Sequence, residues 1–518
     1  MALKYRLHEH NFTIYHRAAL GGLAATIKAW KETSMPEGIA ATVKPDAVEI
    51  SWSNALTEQE ALRRILTGSF KLTEEMINLP GQFVGADRVD LRLAIHNGIC
   101  LTFLQHPKMR PGPKEARKIE LKNADQEVGH ILTYKAINSY AHQKAQGTGL
   151  LDEPKKKSKG VAGQFPEIAT IPQSVVPGAM TGQKALQAKP DEAILLLFLI
   201  VGCPIFLLRP RTYQEKAQAC IVVPDVVDLE KFATDMKRLA FIKQEMQVFS
   251  NTYLGRIVGG AEEAALRFLI DIQAGAISGK RSVVGCQAIA MGKVAWDKNQ
   301  INRSISVKLR GEYPEIDVFR AAYSNLGQAK LVKTKKGESF AIPATTVPEL
   351  VAANLAADRP WCAHFKDLVT KKKDFQRMQF ARGGLNQMVK AIKDEVDLAV
   401  IQAFYDAWKR IRGQLWERAD REKLGKEGYY RLLEVRSERI RNEILRIKTP
   451  ALLANWFLRF CAEATKGKNL GAISQKSNQI REFIFNPRYF ERFQNLLLFA
   501  LVSYKSEEFE ISTESGEN

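Results

Sequence analysis

The stretch LNQMVKAIKDEVDLAVIQAFYDAWKRIRGQL, residues 385–415, decides the fold of the C-terminal part of the chain. Leu385, Met388, Val389, Ile392, Val396, Val400, Phe404, Trp408, Ile411 and Leu415 recur every three or four residues. That period lays one apolar stripe along a helix and predicts a single helix of about thirty residues. Tyr429 to Ile447, Pro450 to about Ala464, Ile473 to Phe485 and Arg488 to Tyr504 read as four further helices, with Pro450 suited to a first turn. The short Gly and Pro breaks between them predict antiparallel neighbours and hence a five-helix bundle. The closing SEEFEISTESGEN is acidic, polar and read as frayed.

Upstream the character is mixed. Phe12 to about Trp30 has helical spacing, and Thr57 with Glu60 forms a capping box that opens a helix to about Thr67. Ile39 to Val43 and Ala47 to Trp52 read as a strand pair around Lys44-Pro45-Asp46. Val89 to Ile95 and Ile99 to Leu104 read as a second pair around Asn97-Gly98, a dipeptide that favours tight hairpin turns. Gly147 to Lys189, which contains KKKSK at Lys155 to Lys159, reads as a long loop or linker.

Ala193 to Leu208 is the longest apolar run, but Gly202 and Pro204 interrupt it and it is short for a membrane span, so it reads as buried core. A strand from Ala219 to Val223 ends at Pro224 and a helix follows it. After Tyr253 to Gly260 comes a helix to Ala274, then a hairpin of Ser282 to Trp296 and Ile301 to Leu309 joined by DKNQ. The fold class expected is α+β: a mixed α/β N-terminal and middle body followed by an all-α C-terminal bundle. The expected domains are 1–190, 191–372 and 373–518.

The 518 residues carry 76 Lys plus Arg against 57 Asp plus Glu, a formal net charge of +19. Residues 371–505 hold 28 of those cations against 15 carboxylates, so the bundle is the most basic part. A surplus of this size points to a polyanionic partner. Cys100, Cys203, Cys220, Cys286, Cys362 and Cys461 are scattered with no CxxC, which argues against a disulfide framework or a zinc site and for the cytoplasm. MALKYRLHEHNF has no apolar core, so no signal peptide is read.

A search for catalysis finds no site. Pro45 to Ser51 (PDAVEIS) places Ser51 where a metal-dependent nuclease needs Lys. Gly275 to Arg281 (GAISGKR) lacks the spacing of a phosphate loop. His8, His10 and His16 have no nearby acidic or Cys partner for a metal. Arg359 and His364 match the spacing of a ribonuclease dyad, although Pro360 disfavours a helix there. No catalytic residue, metal or cofactor is assigned, and a nuclease using Arg359 and His364 is the enzymatic alternative.

What remains is nucleic-acid binding. The candidate loops carry Lys108, Arg110, Lys114, Arg117 and Lys118; Lys280 and Arg281; Lys298, Asn299, Gln300, Asn302 and Arg303; and Lys333, Lys335 and Lys336. Cations supply phosphate affinity, whereas Asn and Gln can read base edges, so the DKNQIN tip is the candidate for specificity. On the bundle, Arg436, Arg439 and Arg446 share a face as backbone contacts, with Glu443 placed to pair with them.

LHEHNFTIYHRAALGGLAATIKAW (7–30), WSNALTEQEALRRILTGSFKLTEEMINLPG (52–81), MGKVAWDKNQINRS (291–304) and PWCAHF (360–365) together resemble the large-subunit family of type I CRISPR surveillance complexes, or Cascade. The resemblance is to the type I-B branch, with myxobacterial-type and transposon-associated large subunits. It implies a non-catalytic subunit whose α/β body recognises the protospacer-adjacent motif (PAM) in duplex DNA and supports R-loop formation. It implies a helical C-terminal domain lying along the backbone subunits and the displaced strand. Its implied partners are CRISPR RNA, target double-stranded DNA, the backbone and small Cascade subunits, and a helicase-nuclease or transposition proteins, with no membrane. It also implies a separately made small subunit, for which Met378 or Met388 is a suitable internal start. No string carries the family's PAM-reading residues over by position. A general RNA-binding scaffold is the remaining alternative.

Overall fold

The computed structural model describes residues 2–85, 87–105, 111–121, 130–140, 169–170, 187–209, 218–241, 247–250, 253–273, 281–291, 303–308, 315–327, 330–333, 339–342, 344–465 and 477–505. The chain forms two compact units, Met1–Leu309 and Arg310–Asn518. The first is α+β and the second is mainly helical.

The N-terminal unit opens with β1 (Ala2–Arg6), α1 (Ile14–Glu32), β2 (Ile39–Lys44), β3 (Ala47–Trp52) and α2 (Glu58–Ser69). β1, β3 and β2 form an antiparallel sheet in that order, so the strand pair read around Pro45 gains a third strand. The capping box at α2 is present: the Glu60 amide donates to the Thr57 hydroxyl at 3.3 Å, and the Thr57 amide donates to Glu60 Oε2 at 3.0 Å. β4 (Lys71–Thr73) and β5 (Met76–Asn78) pair, and α3 (Val89–Leu101) follows.

α3 corrects the hairpin read at Asn97-Gly98. The alternation that suggested strands also fits a helix burying Leu91, Leu93, His96, Asn97 and Ile99, and Gly98 brings that helix against the Ile205 side chain. β6 (Arg117–Leu121) and β7 (His130–Tyr134) pair; Leu132 and Tyr134 share a core cluster with Met76 and Leu93.

After the short pair β8 (Ala169–Thr170) and β9 (Gln187–Ala188), the long apolar run becomes α4 (Pro190–Leu197), α5 (Leu199–Gly202) and β10 (Ile205–Leu208). Then come β11 (Gln218–Val226), α6 (Leu229–Phe241), β12 (Gln247–Ser250), β13 (Tyr253–Gly255), β14 (Ile257–Val258), α7 (Ala261–Gln273), β15 (Val283–Ala290) and β16 (Arg303–Lys308). The principal sheet has the order β14-β10-β11-β15-β16, antiparallel except for β10 with β14. β11 runs through Pro224 where the sequence reading stops the strand. Pro224 faces Cys286 of β15, and the β10 ladder has already ended at Ile221, so no hydrogen bond needs the missing N–H on that side.

α1 packs on α5, α6 and β11, which ties the elements before residue 190 to those after it. A Cβ on Gly22 would strike the Phe198 carbonyl, and one on Gly202 would strike the Ala18 carbonyl. The two backbones can approach this closely only because both positions are glycine.

The C-terminal unit contains α8 (Ile316–Leu326), the paired strands β17 (Lys330–Lys333) and β18 (Ser339–Ile342), α9 (Val347–Ala356), α10 (Lys372–Phe380), α11 (Arg382–Ala391), α12 (Glu395–Arg421), α13 (Gly425–Arg446), α14 (Pro450–Thr465), α15 (Ser477–Phe485) and α16 (Phe490–Ser503). The thirty-residue helix expected over 385–415 is therefore two helices. Asp394 caps the second, its Oδ1 accepting from the amides of Val396 at 2.9 Å and Asp397 at 3.0 Å. A helix-period stripe continues across such a break because the residues on either side enter the same core. With α10 as a further helix, the bundle exceeds the five expected. α16 is buried on almost every side, from Phe493 to Ser503, and forms its centre.

Candidate nucleic-acid interface

Lys108, Arg110, Lys280, Lys298, Asn299, Gln300, Asn302, Lys335, Lys336 and the KKKSK run lie outside the described residues. The structure does describe the frame beneath the DKNQIN tip. β15 and β16 pair from Gly285 with Lys308 to Ala290 with Arg303, so Arg303 stands where the ladder opens toward the tip. Arg281 precedes the opposite end of β15. Arg281 and Arg303 thus lie at opposite ends of the β15–β16 ladder.

Lys114 and Lys118 are exposed, whereas Arg117 grips Glu75 through both carboxylate oxygens, at 2.7 and 3.3 Å. That bidentate pair fastens β6 to the β4–β5 turn, where Glu74 and Glu75 both take positive φ.

On α13 the arginines differ from one another. Arg439 Nε lies 2.8 Å from Glu443 Oε1, while Trp456 donates to the other carboxylate oxygen at 2.9 Å. Desolvation pushes the Glu443 carboxyl up, but the Trp456 and Arg439 hydrogen bonds and the charge of Arg436 bring it below its usual range. Arg446 is exposed in the last turn of α13, where the helix dipole favours a cation.

Arg359 and His364 do come together: Arg359 Nη1 lies 3.3 Å from His364 Nε2, and His364 Nδ1 lies 3.6 Å from Asp367. They sit on a non-helical turn with Asp358 and His364 both at positive φ. The turn is held from three helices. Asn354 of α9 donates to the carbonyls of Trp361 at 3.0 Å and Ala363 at 2.7 Å, and Asn495 of α16 accepts from the Lys366 amide at 2.7 Å. From α12, the buried Asp397 accepts from the Trp361 indole at 3.1 Å. Arg492 bridges Asp397 at 2.9 Å and Asp394 at 2.8 Å.

Desolvation raises the Asp397 carboxyl. Asp394, more exposed, is held low, because the Asp397 amide and Arg492 outweigh its own desolvation. Sequence reasoning quoted PWCAHF without finding this network, since Asp397 and Arg492 are distant in sequence and look like ordinary helix charges.

Among the described residues, no group of three or more His, Cys, Asp or Glu is placed to hold a metal ion, and no helix is long and apolar enough to cross a membrane. The six cysteines are free thiols.

The described residues thus form an α+β unit and a mainly helical unit, each fixed internally by polar clamps. Comparison with known proteins gives that frame a class. Residues 4–197 match the family described as the DevT N-terminal domain, and residues 388–518 match the DevT C-terminal domain. The chain is 26% identical over 400 residues to the CRISPR-associated protein Cas8a1/Csx13 of Myxococcus xanthus (strain DK1622). That match covers 72% of this chain and 65% of the relative, so just under two thirds of the relative's length is spanned. The similarity supports a Cas8-type large subunit of CRISPR systems.

Proposed function

We propose that this chain is the non-catalytic DNA-recognition subunit of an RNA-guided Cascade complex, recognising the PAM in duplex DNA and supporting R-loop formation. The observation that carries the reading is the similarity to Cas8a1/Csx13 over 72% of the chain. The net charge of +19 supports it, because base pairing with a guide delegates sequence reading to RNA and leaves the protein a few groove contacts and a broad basic surface. The type I-B assignment and a role in RNA-guided transposition belong to the same proposal. So do the cytoplasmic location and the partners: CRISPR RNA, target DNA, backbone and small subunits, and a helicase-nuclease or transposition machinery.

The groove-reading assignment rests on the hairpin tip, with Lys298, Asn299, Gln300, Asn302 and Arg303 carried by the β15–β16 ladder and Lys108, Arg110, Lys114, Lys280 and Arg281 as further DNA contacts. Asn299→Ala or Gln300→Ala, titrated in the assembled complex against guide-matched duplexes, should weaken the correct PAM selectively by about 1–3 kcal/mol. Equal losses on matched and mismatched PAM would assign the tip to phosphate contact instead.

The divisions at 190 and 372 are proposed as boundaries of regions with different roles, and the last region is proposed also to be made alone from an internal start. Met378 is buried inside α10, so a product starting there lacks the first turns of that helix. Intact mass measurement of the purified complex should find this C-terminal product; a complex containing only full-length chain rejects the start.

A second reading takes its support from the 3.3 Å approach of Arg359 to His364: cleavage of RNA, with the imidazole moving a proton and the guanidinium facing a phosphate. Incubating the complex with labelled RNA and DNA and comparing His364→Ala separates the readings. Cleavage lost with His364 selects the enzyme; no cleavage by either form selects the binding subunit.

A further inference from the structure

The N-terminal unit holds a crevice of about 100 Å³, open on one side, that the proposed DNA contacts do not use. Gly98 of α3, Phe206 of β10, Ala240 of α6 and Phe268 of α7 line it from four elements. Among its described residues the lining is apolar apart from Gln82, Cys203, Arg256 and Asp271. Gln82 is engaged, its amide donating to the Ile200 carbonyl at 3.4 Å. Burial pushes the Cys203 thiol well above its usual range, so it stays neutral. Arg256 and Asp271 remain as the polar pair of the crevice.

Asp271 is poorly placed for stability. It lies two residues from the end of α7, where the helix dipole disfavours an anion. Desolvation pushes its carboxyl up, against the pull of Arg256, Arg267 and Arg238. Arg256 Nη1 stands 3.5 Å from Asp271 Oδ2, a looser pair than Arg17 with Asp225 at 2.7 Å in the same unit. The Phe206 ring fixes the guanidinium, which lies 4.3 Å from the ring centroid. A donor and an acceptor thus stand side by side at an apolar wall, close enough to act together on one ligand.

That lining selects its ligand by elimination. A hydrocarbon would cover the pair without offering it a hydrogen bond, an anion would meet Asp271 and a cation would meet Arg256. A neutral edge with an acceptor beside an N–H serves both groups, since Arg256 donates to the acceptor and the N–H donates to Asp271. The volume sets the size. A cavity of about 150 Å³ holds benzene, so about 100 Å³ with an open side admits one six-membered ring and not two fused ones. The Phe206 and Phe268 walls suit a flat ring over an aliphatic amide.

We propose that this crevice binds one pyrimidine ring, its acceptor and N–H edge set between Arg256 and Asp271. The ring comes from a free nucleoside or from a base extruded from a nucleic acid, and only the second source rests on the proposed DNA role.

The test titrates the full chain by calorimetry with uridine, which has no phosphate to be drawn by the net positive charge. N3-methyluridine is the control, because it keeps the ring and loses the N–H. Uridine should bind at least ~10-fold more tightly than the control, the loss of one hydrogen bond to a charged group. Asp271→Ala should erase that difference, and Ala240→Leu, which narrows the crevice, should weaken uridine by at least ~10-fold. A DNA duplex with one bulged thymidine, compared with the same duplex carrying an abasic bulge, separates the sources. Tighter binding of the thymidine bulge, lost in Ala240→Leu, assigns the crevice to an extruded base. Uridine binding without that preference assigns it to a free nucleoside.

Circular dichroism checks that each variant is folded, and the comparison of uridine with its methylated form needs no variant. Equal affinity for those two nucleosides, unchanged uridine affinity in a folded Ala240→Leu chain, or binding of neither uridine nor the thymidine bulge would each overturn the proposal. The nucleoside titration contains no DNA, so a complex that fails to bind guide-matched duplex sinks the DNA-recognition reading and leaves this result standing.

Discussion

The two units differ at their most buried fastenings. In the N-terminal unit two of these are neutral, although ion pairs such as Arg117–Glu75 lie nearer its surface: glycine backbones meet between α1 and α5, and His96 links the Ile77 amide to the Lys135 carbonyl at 3.1 and 2.8 Å. The Ile77 amide donates to Nδ1, so the proton sits on Nε2 and the ring is neutral. In the C-terminal unit the tight point is ionic, with Arg492 between Asp394 and Asp397 beneath the Trp361 turn. Close backbone contact tolerates no added atom, whereas a buried ion pair tolerates no lost charge, and the two units should answer different substitutions.

Arg492→Met should have the largest effect, about 3–5 kcal/mol, because it leaves Asp397 buried without its cation. Denaturant unfolding of the full chain measures it, and a loss under about 1 kcal/mol would remove the ionic half of the contrast. Gly22→Ala should cost about 1–3 kcal/mol by forcing a methyl against the Phe198 carbonyl. The same substitution at Gly413, inside α12 with no atom near a built Cβ, should stabilise by about 0.5–1 kcal/mol. Opposite signs at the two glycines confirm that the close approach, and not helix propensity, governs α1.

Asp394 sharpens the comparison through pH. Its folded carboxyl is held below the ordinary aspartate value of about 3.9. A depressed carboxyl contributes stability that is present above that value and lost as pH falls through the lower folded one. The thermal midpoint of the parent chain should therefore fall toward the Asp394→Asn variant between about pH 5 and pH 3. A difference that stays constant across that window would show that the Asp394 charge plays no part.

Much of this frame is legible in the residues themselves. Helical spacing located α1, α13 and α14 to within a few residues, and Thr57 with Glu60 located the start of α2. Periodicity failed where two structures share a pattern: Val89–Leu101 alternates well enough to pass for strands, and the stripe from Leu385 to Leu415 runs across the Asp394 cap without a break. Of the candidate interface, residue chemistry could nominate loops but not the partners already holding their side chains. Arg117 reads as a free loop cation and is gripped by Glu75, an acid forty-two residues earlier. The Trp361–Asp397–Arg492 network was hidden for the same reason, since each bond joins segments far apart in the chain.

That distinction between a cation counted and a cation available gives the finest test. Arg439 and Arg446 share a face of α13, but Arg439 is held at 2.8 Å by Glu443, which the Trp456 indole fixes in turn. A phosphate approaching Arg439 must compete with an oriented carboxylate and meets that carboxylate's own charge. Arg446 stands two turns further on, exposed at the helix end with no ion-pair partner among the described residues. If α13 tracks a nucleic-acid backbone, Arg446→Gln should lower the slope of log affinity against log salt by about one, the loss of one phosphate contact. Arg439→Gln should change the slope little, because it removes a cation already neutralised. Equal decreases for both would mean that Glu443 releases Arg439 on binding, and the pairing seen in the free chain would then be a resting contact.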